Sequence, residues 1–121
     1  MQTTVFCRTK FEGVHCYPNA PDEVSYLRTP HRHVFGVEVE ISVYDNEREV
    51  EFIMLKHKVN EWIRKHLNGV GVWEMETLSC EQVASQLVRY LDAQYCSLDK
   101  ERQIIVSIDE DNENGAIVYG D

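Results

Sequence analysis

Three histidines in two places, His15 and the pair His31 and His33, are the residues whose type and spacing bear most directly on chemistry. His31 and His33 head a segment that alternates, with Phe35, Val37, Val39, Ile41 and Val43 apolar and Glu38, Glu40 and Ser42 polar. Side chains two apart on a strand leave the same face, so both imidazoles can project together. His15 closes an earlier alternating run, Val5, Cys7, Thr9, Phe11, Gly13, His15, on its mostly apolar parity. Three imidazoles from adjacent strands suit a zinc ion with one coordination position open, the arrangement of catalytic zinc. A solitary strand-end histidine carries no such implication; the shared parity is what sets these three apart.

A carboxylate joins them as a candidate. Ile104, Val106, Ile108 and Glu110 share one face of a later strand, so an acid follows three apolar residues on the inward side. Such a carboxylate can accept two parallel hydrogen bonds from the N–H edge of a guanine-like or pterin ring. The alternative is a solvated acid in the run Asp109-Glu110-Asp111-Asn112-Glu113.

The elements that must position these groups follow from pattern. Residues 2–15 read as a strand, and residues 16–30, which hold Pro18, Pro21 and Pro30, as a loop. Residues 33–44 form a second strand, turned back by Asp45-Asn46-Glu47, and Glu49 to Phe52 can pair briefly. A helix is expected from about Met54 to Leu67, with Leu55, Val59, Trp62 and Ile63 at helical spacing and Asn68-Gly69 as its stop. Ser79 and Gln82 make a capping-box pattern before a second helix, whose stripe is Val83, Leu87, Val88 and Leu91. Gln103 to Asp109 and Ala116 to Tyr119 complete four strands, with a turn over Asn112 to Gly115. The expected architecture is α+β: a four-stranded antiparallel sheet in the order ββααββ, both helices on one face.

The bulk properties bound the function. A chain of 121 residues reads as a single domain over 1–121. A net charge of −9 argues against a duplex nucleic-acid surface. No stretch approaches the roughly eighteen apolar residues of a membrane span, and no signal-like N-terminus is evident, so a cytoplasmic protein is expected. Cys7, Cys16, Cys80 and Cys96 show no paired spacing and read as free thiols.

Several motifs together resemble a known family. Phe11-Glu12-Gly13-Val14-His15, a proline-rich loop and His31-Arg32-His33 resemble the F-x-x-x-H … H-G-H metal motif of the 6-pyruvoyl-tetrahydropterin synthase family, which includes the bacterial 6-carboxytetrahydropterin synthases. Glu51-Phe52 through Leu55-Lys56 is similar to the D-F-x-x-L-K stretch opening that family's first helix. Leu78-Ser79-Cys80-Glu81 with Val83-Ala84 resembles its P-T-x-E-x-x-A helix start, and Val106 to Glu110 with Gly115 and Tyr119 its closing strand. The resemblance implies the tunnelling fold, whose sheets join into a barrel on oligomerisation, and a homo-oligomer, commonly a hexamer. It implies zinc on His15, His31 and His33, and Glu110 as anchor of a pterin ring. The implied activity is that of a zinc-dependent lyase acting on dihydroneopterin triphosphate or a close relative, in tetrahydropterin or 7-deazaguanine synthesis.

The chain also departs from that pattern. The family's cysteine base before H-x-H falls at Leu27, its Asp-His pair after the first helix has no aspartate in Ile63 to Asn68, Arg32 replaces the intervening glycine, and Asp111 replaces a threonine. Substitute proton-transfer groups are Cys16, whose strand parity points away from His15 unless the loop turns it back, and His66, which can equally stabilise a helix end. Glu23 in the loop is a further possible base. Glu81 is a second candidate for substrate binding, or simply a dipole partner in the helix's first turn. Arg28 and Arg32 are available as charge-assisted phosphate donors. Two functions therefore stand side by side: the lyase, and a non-catalytic protein that sequesters or senses a pterin, purine or nucleotide on the same fold.

Overall fold

The computed structural model describes residues 1–120. Two long strands, β1 (Thr3–His15) and β2 (His31–Val43), form an antiparallel hairpin whose register pairs His15 with His31 and Gly13 with His33. A kinked 3-10 segment, Asp22–Arg28, lies in the loop between them. Then follow α1 (Phe52–Arg64), β3 (Val72–Glu76), α2 (Cys80–Tyr95), β4 (Ile104–Glu110) and β5 (Asn114–Tyr119). The sheet order is β3-β1-β2-β4-β5.

The architecture is α+β as expected, but the sheet has five strands and is mixed. The additional strand, β3, lies between the helices and runs parallel to β1, so the order is ββαβαββ. Within one chain the sheet stays open. β3 is only five residues long, and both Val72 and Trp73 are buried, which breaks strict alternation at its start.

The helix boundaries also differ from the sequence pattern. α1 begins earlier because the Glu51 carboxylate accepts the amides of Ile53 and Met54; Glu51 caps a helix instead of pairing in a strand. It ends at Arg64, since the chain tightens to three-residue hydrogen bonds (His66 to Ile63, Leu67 to Arg64) and Leu67 bridges to Trp73. α2 starts as expected, with the Ser79–Gln82 capping box formed in both directions.

Both helices cover one face of the sheet. Leu55, Val59, Trp62 and Ile63 of α1 and Val83, Ala84, Leu87 and Leu91 of α2 join Phe35, Val37, Val39, Ile41, Ile104, Val106 and Ile108 in one core. The inward rows of β2 and β4 are apolar until one end, that of β1 is apolar apart from Thr3 and Thr9, and at that shared end the rows turn to His15, His31, His33 and Glu110. No helix among the described residues is long and apolar enough to cross a membrane.

Candidate metal centre

The strand register brings the three histidines together. His15 and His31 face each other across β1 and β2, and His33 follows one pleat along. Their ring centroids lie 4.6 Å (His15–His31), 5.0 Å (His31–His33) and 5.7 Å (His15–His33) apart. One ligand atom from each falls within 4.8 Å of the others, so the group could hold a metal ion.

Two local features aim these side chains. β3 carries one extra residue opposite the Val14–His15 step, a bulge that reorients the end of β1, and Glu76 there has φ 57°. Gly13 lets the layer beneath close up, because a Cβ at that position would lie 2.5 Å from Met75 Sδ and 2.9 Å from Phe35 Cε2.

The hydrogen bonds set the tautomers. His15 Nδ1 lies 2.8 Å from the Leu78 carbonyl and His31 Nδ1 2.9 Å from the Thr29 carbonyl. A carbonyl can only accept, so both Nδ1 atoms carry protons. His33 Nδ1 donates to Asp111 Oδ2 at 2.6 Å. In the neutral rings each Nε2 then presents a lone pair, the form that ligates metal, and each ring is oriented by an outer acceptor as in known metal sites. His33 Nε2 is buried and has no hydrogen-bond partner among the described residues. A buried acceptor without a donor is costly unless a cation satisfies it, and in this respect the residues fit a metal.

Glu110 stands in the same cluster. Its Oε2 lies 3.0 Å from His15 Nε2 and its Oε1 3.7 Å from His33 Nε2. The centre opens into a cavity of about 700 Å³. His15, His31, Glu110, Cys16, Leu27 and the start of α2 from Thr77 to Gln82 contribute to its walls. Cys16 thus shares the cavity with His15 despite its opposite strand parity, its amide held by the Glu76 carbonyl just past the bulge. Glu81 is on the wall as well. Cys80, buried beside it, is pushed up to about 12 by desolvation and by the nearby acids Glu110, Glu81 and Asp109.

Other candidates sit elsewhere. His66 is not on this cavity wall; it stacks on Trp73 at 4.1 Å and meets Trp62 edge-on, and burial lowers its pKa. Arg28 is engaged within its loop, donating to the Ala20 carbonyl and Asp22. Arg32 pairs with Glu12 on the outer face of the sheet. Glu23 is exposed in the 3-10 segment and does not line the cavity.

Three functional features were not anticipated from sequence: the Leu78 and Thr29 carbonyls, and Asp111 as partner of His33. Asp111, standing where the resembled family has a threonine, is the one visible signal. No protein-family model matches the chain, and no curated protein matches it. Among solved structures, the crystal structure of an uncharacterized protein from Wolinella succinogenes is similar over 100% of this chain and 99% of that one, with a TM-score of 0.73 and 13% identity. That likeness concerns the fold alone.

Proposed function

We propose that this protein is a zinc-dependent lyase of the pterin-synthase type, acting on dihydroneopterin triphosphate or a close relative. The observation that carries the reading is the convergence of three histidines, each with Nδ1 held by an outer acceptor and each with one ligand atom within 4.8 Å of the others, beside a cavity of about 700 Å³ that His15 and His31 line. Three neutral nitrogen donors suit zinc above the harder cations, which prefer oxygen. Zinc held there would supply Lewis-acid polarisation of substrate oxygens, making protons on neighbouring carbons removable.

The chain's own residues supply the rest. Carboxylates at Glu110 and Glu81 offer acceptors for a ring's N–H edge. Cys16, half-buried on the same wall, is the thiol positioned to move a proton. No Lys or Arg lines the cavity among the described residues, so a triphosphate tail would lie outside it. The sheet edges β3 and β5 each have one side without a strand partner, and β5 carries no charged residue. These edges support assembly into a homo-oligomeric barrel, a hexamer by family resemblance.

A second reading is favoured by one observation. Leu27 lines the cavity at the position of the family's cysteine base, which suits a protein that binds a pterin or purine without converting it. Metal analysis followed by incubation with dihydroneopterin triphosphate separates the two. About one zinc per chain with loss of triphosphate establishes the lyase. Zinc with substrate recovered intact establishes the binder, and no zinc overturns both.

A further inference from the structure

Resting on the pterin reading above, we propose that Tyr17 stacks on the face of the bound ring, with Leu27 beside it, and so selects a planar aromatic heterocycle. The family resemblance gives Tyr17 no duty. The proposal comes from the way the loop between β1 and β2 closes one side of the cavity.

The backbone of that loop is tied down at each step. The Cys16 amide donates to the Glu76 carbonyl at 2.9 Å, and the Tyr17 amide to the Leu27 carbonyl at 2.7 Å. The Tyr17 carbonyl accepts the Ala20 amide at 3.1 Å, so both backbone polar groups of Tyr17 are engaged. Ala20 is buried, and its carbonyl accepts two N–H groups of Arg28, from Nε at 2.8 Å and Nη2 at 2.7 Å. Arg28, a phosphate donor on sequence grounds, instead pins the loop. Tyr17 and Leu27 are thereby joined on one wall of the cavity.

The side chain, by contrast, is left open. Tyr17 is 51% exposed, whereas Phe11, Phe35 and Trp73 beneath the centre are buried against one another. Among the described residues that line the cavity, Tyr17 carries the one phenol or phenyl ring. Glu81 and Glu110 on the same walls suit the N–H edge of a heterocycle, and a ring held by its edge leaves its faces for apolar contact. Tyr17 and Leu27 supply that contact from the loop, and Leu78 from the α2 side. Stacking tolerates changes of ring substituent but demands a flat π-face. A tyrosine has only two χ angles, and this one stands on a fixed backbone, so ordering it on binding costs little. A small oxyanion held on the metal alone would gain nothing from such a wall.

Neopterin triphosphate, whose ring is fluorescent, is the probe, titrated into zinc-loaded wild type and variants with zinc content measured in each. Tyr17→Phe is expected to bind it as the wild type does. Tyr17→Ala is expected to bind it at least about fivefold more weakly, with zinc content and far-UV circular dichroism unchanged. Tyr17→Leu keeps apolar bulk without a π-face and is expected to fall close to Tyr17→Ala. Wild-type affinity in Tyr17→Ala or Tyr17→Leu overturns the stacking role. A loss in Tyr17→Phe as large as that in Tyr17→Ala also overturns it, because the hydroxyl would then carry the contact. The underlying reading fails differently: zinc-loaded wild type that does not bind neopterin triphosphate overturns the pterin reading and this proposal together, whereas binding that survives Tyr17→Ala overturns this proposal alone.

Discussion

Asp111 reaches back across the end of the sheet to His33: its Oδ2 accepts the His33 Nδ1 proton at 2.6 Å while its Oδ1 accepts the Val34 amide at 2.9 Å. The return is possible because Asp111 and Asn112 both adopt left-handed backbone, φ 55° and 61°, a conformation Asp and Asn tolerate better than most residues. The His33 proton and the adjacent amide hold the Asp111 carboxyl below the usual aspartate range. A carboxylate on the far nitrogen of a metal-facing histidine orients the ring and raises its basicity.

Asp111→Asn preserves the turn and one acceptor but removes the charge. Zinc affinity is expected to fall by about 10–100-fold with the fold intact, read by competition with a chromogenic chelator alongside far-UV circular dichroism. Unchanged affinity would reduce Asp111 to a turn-closing residue.

Gly13 is where the core meets the candidate metal centre. A methyl group there meets Met75 Sδ, which can swing aside, and Phe35, which is fully buried and stacked on Phe11 and cannot. Gly13→Ala should cost about 1–3 kcal/mol by overpacking, measured by urea denaturation. Because Gly13 is register-paired with His33, metal affinity should fall with it.

At the opposite end of the sheet, Arg102 is tied to Glu49 at 2.5 Å and donates to the carbonyls of Tyr95 and Ser42 at 3.0 and 3.1 Å. Burial by itself would raise the Glu49 carboxyl, but the Arg102 guanidinium and the amides of Tyr44 and Asp45 outweigh it and leave the pKa lowered. A depressed acid contributes stability that is fully present above its unfolded pKa, about 4.3, and is lost as pH falls through the lower folded value. Thermal midpoints measured downward from pH 6 should therefore drop below about pH 4.3 in the wild type. In Glu49→Gln the midpoint should start lower, and this part of the acid dependence should disappear.

The cysteines should divide by environment. Burial pushes Cys7 up to about 11 and Cys80 up to about 12, so neither presents much thiolate at neutral pH. Cys16 is partly exposed on the cavity wall. Iodoacetamide at pH 7.5 followed by peptide mass spectrometry should label Cys16 well before Cys7 and Cys80, and loading the centre with zinc should slow that labelling. Equal labelling of Cys16 and Cys80 would contradict the packing of the α2 start against Glu110.

Much of the fold was legible in single strands and helices. The alternation of β1 and β2 put His15, His31 and His33 on the inward face, and Ser79 with Gln82 marked the start of α2, because these are properties of a segment with its own period or cap. β3 was not legible. Five residues with two consecutive buried ones carry little periodicity, and the parallel pairing with β1 joins segments more than fifty residues apart. The site divides the same way. Sequence alone determined which face each histidine and Glu110 occupies, since side-chain direction follows from position within a strand. Only the tertiary structure decided that Leu78, Thr29 and Asp111 take the three Nδ1 protons, that Glu110 stands 3.0 Å from His15, and that His66 belongs to Trp62 and Trp73. Those relations depend on register between strands, on a bulge and on a left-handed turn, none of which a one-dimensional pattern specifies.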